Sequence, residues 1–343
     1  MELGHDVKLL TRSDRLSISD RTLQMIRRSY AKFVKHKAGV ELFRCEKDTT
    51  IKHTRRFINK QFDICHTFSS YSKCIQGLDA LIVGSDQVWR PIYADGHLDD
   101  YFLRFCDDSN IKKIAYAASF GVDTIEYNDS EVSMASSGLK KFNAVSVREY
   151  SGIDLCSNML GYDDAFMMPD PTLLLTASCY RKIIEKWSVP SSFGNLFTYI
   201  LDQDESAEMI VEAVSQHLQL IPFTVHSRID DLSAPLIERI HPPLELWLMG
   251  IANSKFVVTD SFHGCVFSII FNKDFIVLGN RQRGTARISS LLKLFGLEHR
   301  YVDTLTTEFD LMTVPGINWD EVNAKHEDMM NQGRRFLIDT LNN

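Results

Sequence analysis

The sequence lacks paired cysteine motifs, long apolar runs and a dominant charge, and each absence removes a class of protein. Its seven cysteines, Cys45, Cys65, Cys74, Cys106, Cys156, Cys179 and Cys265, are scattered singly with no CxxC spacing. Reduced thiols are therefore expected, rather than a disulfide framework or a zinc knuckle. No apolar stretch approaches the roughly 18 residues that a membrane-spanning helix needs, and the opening residues carry neither a basic nor an apolar leader. A cytoplasmic protein is the expectation. Lys and Arg number 38 against 45 Asp and Glu, and a net charge of −7 supplies no global field for nucleic acid. Any bound anion must be held locally. There is no P-loop, no GxSxG elbow, no complete GxGxxG and no metal-ligand spacing, so neither a metal nor a cofactor is expected.

What remains is a chain of 343 residues, 44% hydrophobic and 24% charged, enough for about two domains with full cores. From Ser19 to Phe62 single apolar residues alternate at helical spacing with Arg27, Arg28, Lys35, Lys37, Lys52, Arg55 and Arg56. That stretch is either a solvated helical pair or a basic face for an anionic substrate or membrane surface. Beyond it, apolar runs of strand length at Leu78–Gly84, Ile111–Ala118 and Ala144–Val147 each end in a polar turn, with a helical stretch at Ser130–Lys141. The Asp170-Pro171-Thr172 turn, a helical segment Ala177–Trp187 and a Pro/Ser/Gly-rich connector Val189–Asn195 mark a boundary. Strands at Leu196–Leu201, Leu220–Val225, Lys255–Thr259 and Phe275–Leu278 then alternate with helices at Ser206–Leu218, Pro243–Ala252 and Gly264–Phe271, before a terminal helix Trp319–Leu341. The order predicts an α/β fold of two Rossmann-like domains with a cleft at the carboxyl ends of their strands. Their expected extents are 1–175 and 176–343.

Four polar clusters fall at such strand ends. Thr259-Asp260-Ser261-Phe262-His263-Gly264 leads into an apolar helix, whose N-terminus favours a bound anion. There His263 can exchange a proton near neutrality, or be a buried capping residue, and Asp260 can cap the helix or orient His263. Gly84-Ser85-Asp86-Gln87-Val88-Trp89 offers Asp86 as a general base or a turn cap, and Trp89 as core packing or a sugar platform. Arg148, beside Glu149, is either an anion fork or part of a surface charge pair. Arg281, Arg283 and Arg287 form an anion clamp or the solvated start of a helix.

Five motifs in this order, Leu81–Trp89, Tyr116–Gly121, Val145–Glu149, Asp170–Leu174 and Thr259–Gly264, resemble the polysaccharide pyruvyl transferase family. The resemblance covers most of residues 78–300. It implies a GT-B-like arrangement with an interdomain cleft, an acceptor side in the N-terminal domain and phosphoenolpyruvate on the C-terminal side. It further implies transfer of a pyruvyl group onto a sugar of a surface polysaccharide or its lipid-linked precursor, as a cyclic ketal, with release of phosphate. On this resemblance His263 acts as general acid, Asp86 approaches the acceptor hydroxyl beside Gly84, Ser85 and Gln87, and Arg148 holds the donor. Ser261, Phe262 and Gly264 receive phosphate at the helix N-terminus, with Arg281, Arg283 and Arg287 adding charge.

Some branches of that family carry Arg-Leu-His where this chain has Ser261-Phe262-His263, so one of the three later arginines is expected to replace the missing cation. Family members also open with a strand, a glycine-rich loop and a helix ending in Leu-Gly-His-Asp-Val, which is where this sequence starts at Leu3. The resemblance therefore implies an N-terminal domain without its first strand and loop, with reduced folding or activity at that edge. A peripheral contact with the inner face of the membrane is a further expectation. Two other readings stay open, a GT-B glycosyltransferase using a nucleotide sugar and a non-catalytic subunit of polysaccharide assembly.

Overall fold

Apolar runs that alternate with amphipathic segments are satisfied when parallel strands stack side by side and helices cover their faces, and the chain resolves this way. The computed structural model describes residues 3–12, 49–67, 71, 73–94, 96–185, 194–229, 231, 233–279, 286–303 and 311–342. They fall into two compact units, residues 1–76 with 226–244, and residues 77–225 with 245–343.

The first unit contains β1 (Lys8–Arg12), α1 (Lys52–Gln61) and β2 (Asp63–Thr67). β1 and β2 pair in parallel, Lys8 opposite Asp63. α1 buries none of its residues and turns Lys52, Arg55, Arg56 and Lys60 towards one shallow hollow. Arg27, Arg28, Lys35 and Lys37 lie outside the described residues. The expectation of reduced cysteines needs correction here, because Cys65 and Cys74 form a disulfide. The Cα atoms of Cys65 and Cys74 lie 5.8 Å apart, a pairing that spacing alone does not reveal. Cys106, Cys156, Cys179 and Cys265 are free thiols.

The second unit carries two parallel sheets. β3 (Ala80–Gly84), β4 (Lys112–Ala118), α2 (Asp129–Leu139), β5 (Ala144–Val147), α3 (Tyr150–Leu160) and β6 (Ala165–Met167) build the first, its strands in sequential order. α2 starts where Asn128 and Glu131 make a reciprocal capping box. α3 went unread in the sequence because Gly152 breaks its helical pattern, yet a side chain there would meet Val147 Cβ at 3.0 Å. Glycine serves close packing of helix on strand.

The second sheet comprises β7 (Leu196–Tyr199), β8 (Pro222–Thr224), β9 (Phe256–Thr259), β10 (Asp274–Leu278) and β11 (Tyr301–Val302) in the order β11-β10-β9-β7-β8. Its helices are α4 (Ala177–Glu185), α5 (Glu205–Leu218), α6 (Leu244–Asn253), α7 (Phe262–Ile270), α8 (Ala286–Phe295) and α9 (Trp319–Asn342). All of β9 and most of β10 and α7 are buried, as unbroken apolar runs require. The order reverses between β7 and β9, which makes their carboxyl ends the switch point of this sheet.

α9 runs back over the first sheet, where Phe336 packs on Tyr116 and Phe166 and Lys112 Nζ donates to the Leu341 carbonyl. On its way His326 and Arg334 bond the carbonyls of Leu173 and Leu174, fixing the turn that follows Asp170. Among the described residues no helix is long and apolar enough to cross a membrane.

Trp89 decides one open question. Its ring is fully buried, stacked on Phe102 at 5.2 Å and tilted against Phe120 at 5.3 Å, with Nε1 donating to the Tyr101 carbonyl. It is core, not a sugar platform. Trp89→Ala should lower unfolding stability by about 3–5 kcal/mol, read as a drop in the urea midpoint at constant slope. A loss under about 1 kcal/mol would contradict this packing.

Candidate functional site

The site grows from strand ends. Gly84 leaves β3 at φ 139°, and a Cβ there would lie 2.0 Å from the Tyr116 carbonyl oxygen, so only glycine allows the exit. Asp86 follows in the left-handed region at φ 63°, its carbonyl accepting from Val88 and Ser119 backbone N–H groups. The bent loop leaves the Asp86 side chain 64% exposed. Ser85 Oγ turns the other way and donates to Asp170 Oδ2 at 2.9 Å.

β5 delivers Arg148 and β6 delivers Asp170, and these two are 1% and 2% exposed. Arg148 Nη1 donates to Asp170 Oδ2 at 2.6 Å, while Nη2 donates to Asp86 Oδ1 at 3.2 Å. The other oxygen of Asp170 accepts from Thr172 N and Oγ1, which caps the turn 171–174. Glu149 is also buried, with Oε1 accepting from Ser119 Oγ and from the backbone of Phe120 and Gly121. It pins the loop after β4. Burial pushes the Glu149 carboxyl above its ordinary range despite the nearby Arg148 and these donors. Arg148 and Glu149 are therefore not a surface charge pair.

At the switch point of the second sheet, Thr259 Oγ1 donates to the Tyr199 carbonyl at 2.6 Å. Asp260 accepts from Leu201 N at 2.7 Å and Asp202 N at 3.1 Å, clasping the β7 and β9 loops together. Ser261 caps α7, its Oγ accepting from Gly264 N. A Cβ on Gly264 would fall 2.3 Å from Thr259 Oγ1, so glycine lets α7 start close against β9. The remaining first-turn N–H groups lack partners within the helix, the usual basis of an anion site.

The two sheets meet at α7. The Phe262 ring lies under the Arg148 guanidinium at 4.4 Å and near that of Arg287 at 5.9 Å. His263 is 37% exposed, and its Nε2 is 3.7 Å from Asp170 Oδ2. Arg287 Nη1 is 3.6 Å from Asp86 Oδ1. Burial works to raise the Asp170 carboxyl, but His263 and Arg148 outweigh it and hold the group well below its ordinary range. Asp86 is lowered in the same way: desolvation opposes, and Arg148, His263 and Arg287 prevail. Burial and the neighbouring Arg148 both depress Arg287. An exposed imidazole, a helix N-terminus, two guanidinium groups and an exposed carboxylate thus converge, a set that can hold an anion, deliver a proton and accept one from a hydroxyl.

The sequence matches the family model of polysaccharide pyruvyl transferase over residues 2–282. The chain belongs to the polysaccharide pyruvyl transferase family. No curated protein matches it. Similar solved structures include a functionally uncharacterised protein from Klebsiella pneumoniae subsp. pneumoniae, 14% identical over 84% of this chain and 98% of that one, with a TM-score of 0.41. A glycosyltransferase from Rickettsia africae is 12% identical over 98% of this chain and 94% of its own, with a TM-score of 0.43.

Within this pyruvyl transferase family member, His263, Asp86, Arg148, Phe262, Ser85 and Arg287 come together, with Ser261 and Gly264 shaping the helix start. One reading needs correction: Ser261, not Asp260, caps α7, and the Asp260 carboxylate accepts from the backbone of Leu201 and Asp202, while Asp170 lies beside His263. The terminal nitrogens of Arg148 are bonded to Asp170, Ser85 and Asp86. Gln87 lies one step back, its Oε1 accepting from Arg90. Arg281 and Arg283 lie outside the described residues. Asp170 was legible only as a turn residue, although an Asp just after a strand and before Pro171 also marks a strand-end carboxylate.

A carboxyl lowered in the folded state contributes its full stability above the unfolded value of about 3.9 and loses it as pH falls. Between pH 5 and 2 the wild type should therefore lose stability more steeply than Asp170→Asn, by up to about 1.4 kcal/mol per pH unit, in denaturant titrations. Parallel acid limbs would contradict the pairing.

Proposed function

We propose that this chain transfers the pyruvyl group of phosphoenolpyruvate to a sugar of a surface polysaccharide or its lipid-linked precursor, closing a ketal across two hydroxyls. The observation that carries the reading is His263 on the first turn of α7, beside Asp170 and next to the Phe262 ring on which Arg148 and Arg287 lie. Pyruvyl transfer needs a proton donor and an anion site side by side. His263 gives its proton to the methylene carbon of the donor, which becomes the methyl group, and the adjacent carbon takes on oxocarbenium character. One acceptor hydroxyl attacks that carbon, the carbon–oxygen bond to phosphate breaks, and the second hydroxyl closes the ring. The two hydroxyl protons leave on His263 and on the released phosphate. Phosphate sits at the α7 N-terminus near Arg287.

Asp86 has two successive roles in this reading. Before the donor arrives its carboxylate bridges Arg148 and Arg287, at 3.2 and 3.6 Å. The donor's carboxylate displaces it from those cations, and the freed Asp86 then takes the proton of one hydroxyl and relays it to restore His263, the other proton leaving on the phosphate. The acceptor side is the edge of the first sheet, and the donor side is α7 and α8. The basic face of α1 serves a peripheral contact with anionic lipid.

Two measurements test this reading. Purified protein should release phosphate from phosphoenolpyruvate only when a pool of lipid-linked oligosaccharides is supplied, and His263→Ala should slow release about 10²–10⁴-fold. Release unaffected by His263→Ala contradicts its role, and thermal protection by nucleotide sugars but not phosphoenolpyruvate would favour a glycosyltransferase. Asp86→Asn should bind phosphoenolpyruvate more tightly, by about tenfold in Kd, while transferring more slowly. Weaker donor binding in that variant would contradict the displacement.

A further inference from the structure

In the loop after Gln87 and at the start of α3, against the helix that carries Arg287, the protein exposes two large rings that the proposed chemistry leaves unused. Tyr93 is 51% exposed and Tyr150 is 44% exposed. Each has a cation over one face: Arg90 Cζ is 5.7 Å from the Tyr93 ring, and Lys293 Nζ is 5.6 Å from the Tyr150 ring. The Arg90 support is anchored beside the site. Arg90 is gripped by both oxygens of Glu126, at 2.8 and 2.9 Å, and donates to Gln87, the residue after Asp86. Tyr93 ends the short turn that Pro91 starts, so its backbone is held. Tyr150 opens α3 directly after Glu149, and its N–H donates to Ser290 Oγ, one turn along α8 from Arg287. Tyr93 also acts electrostatically on the Arg287 guanidinium.

We infer that Tyr93 and Tyr150 form the platform on which the acceptor's sugar ring lies, which rests on the pyruvyl transfer proposed above. A hexopyranose has a face of C–H groups and a rim of hydroxyls. A half-exposed tyrosine offers an apolar face with few torsions to freeze, and exposed apolar groups beside a polar cluster mark binding grooves. The C–H face rests on the rings while the hydroxyl rim reaches Asp86. Ile92, 70% exposed between Pro91 and Tyr93, extends the apolar surface. The saccharide class is thus read by ring stacking, and Asp86 handles the hydroxyls.

The test uses saturation-transfer NMR with methyl β-D-gluco-, galacto- and mannopyranoside on the full chain. The wild type should saturate ring C–H protons of at least one glycoside. Tyr93→Ala and Tyr150→Ala should each weaken that binding about tenfold, and Tyr93→Phe, which keeps the ring, should restore it. Met209→Ala, an exposed apolar residue on α5, serves as the control and should change nothing. Protection by phosphoenolpyruvate in thermal melts should be the same in Tyr150→Ala and Met209→Ala as in the wild type. No transfer to any of the three glycosides, or transfer equal in wild type and both alanine variants, overturns the inference. If the glycoside pattern appears but phosphoenolpyruvate does not protect the wild type, the donor reading fails and the saccharide platform stands.

Discussion

A guanidinium and a carboxylate, both removed from water and 2.6 Å apart, hold the site in place. Arg148 and Asp170 come from neighbouring strands of one sheet, and either one alone would be a buried, uncompensated charge. Each therefore requires the other. The pair is bonded in a fixed pattern, with Ser85 and Thr172 joining Arg148 on Asp170 and Asp86 taking the second terminal nitrogen of Arg148. The positions of three loops follow from that pattern.

Around this pair the second sheet adds its own constraint. Reversal of strand order between β7 and β9 opens a crevice at their carboxyl ends, and Asp260 and Thr259 tie the two loops across it. α7 must then start close to β9, which Gly264 permits, and its first residues meet the Arg148–Asp170 pair through Phe262 and His263. The backbone thus places His263, the proton donor of the proposed reaction, and the groups open to solvent, Asp86 and His263, are the ones that the proposal needs free.

Much of this was legible in the sequence because parallel strands announce themselves as apolar runs ending in polar turns. That rule located β3, β4, β5, β9 and β10 and drew attention to Asp86, Arg148 and His263. What it missed depends on pairings between distant residues. Asp170 read as a turn because its partner lies on another strand, and Asp260 read as a cap or orienter because the Leu201 loop that it holds is far away in sequence. Arg148 read as either an anion fork or a surface charge, because burial has no local signature. The Cys65–Cys74 bond escaped for the same reason, since single cysteines give no sign of which chain turn returns. α3 escaped because Gly152 looks like a breaker until the strand beneath it is known.

The claim that one buried pair organises the site is tested most directly by a double-mutant cycle on unfolding stability with Arg148→Met, Asp170→Leu and the two combined. The account predicts that each single change costs about 3–5 kcal/mol and that the double costs little more than one of them, a coupling of about 2 kcal/mol or more. Costs that simply add would contradict it, and the loops around Asp86 and His263 would then owe their positions to something else.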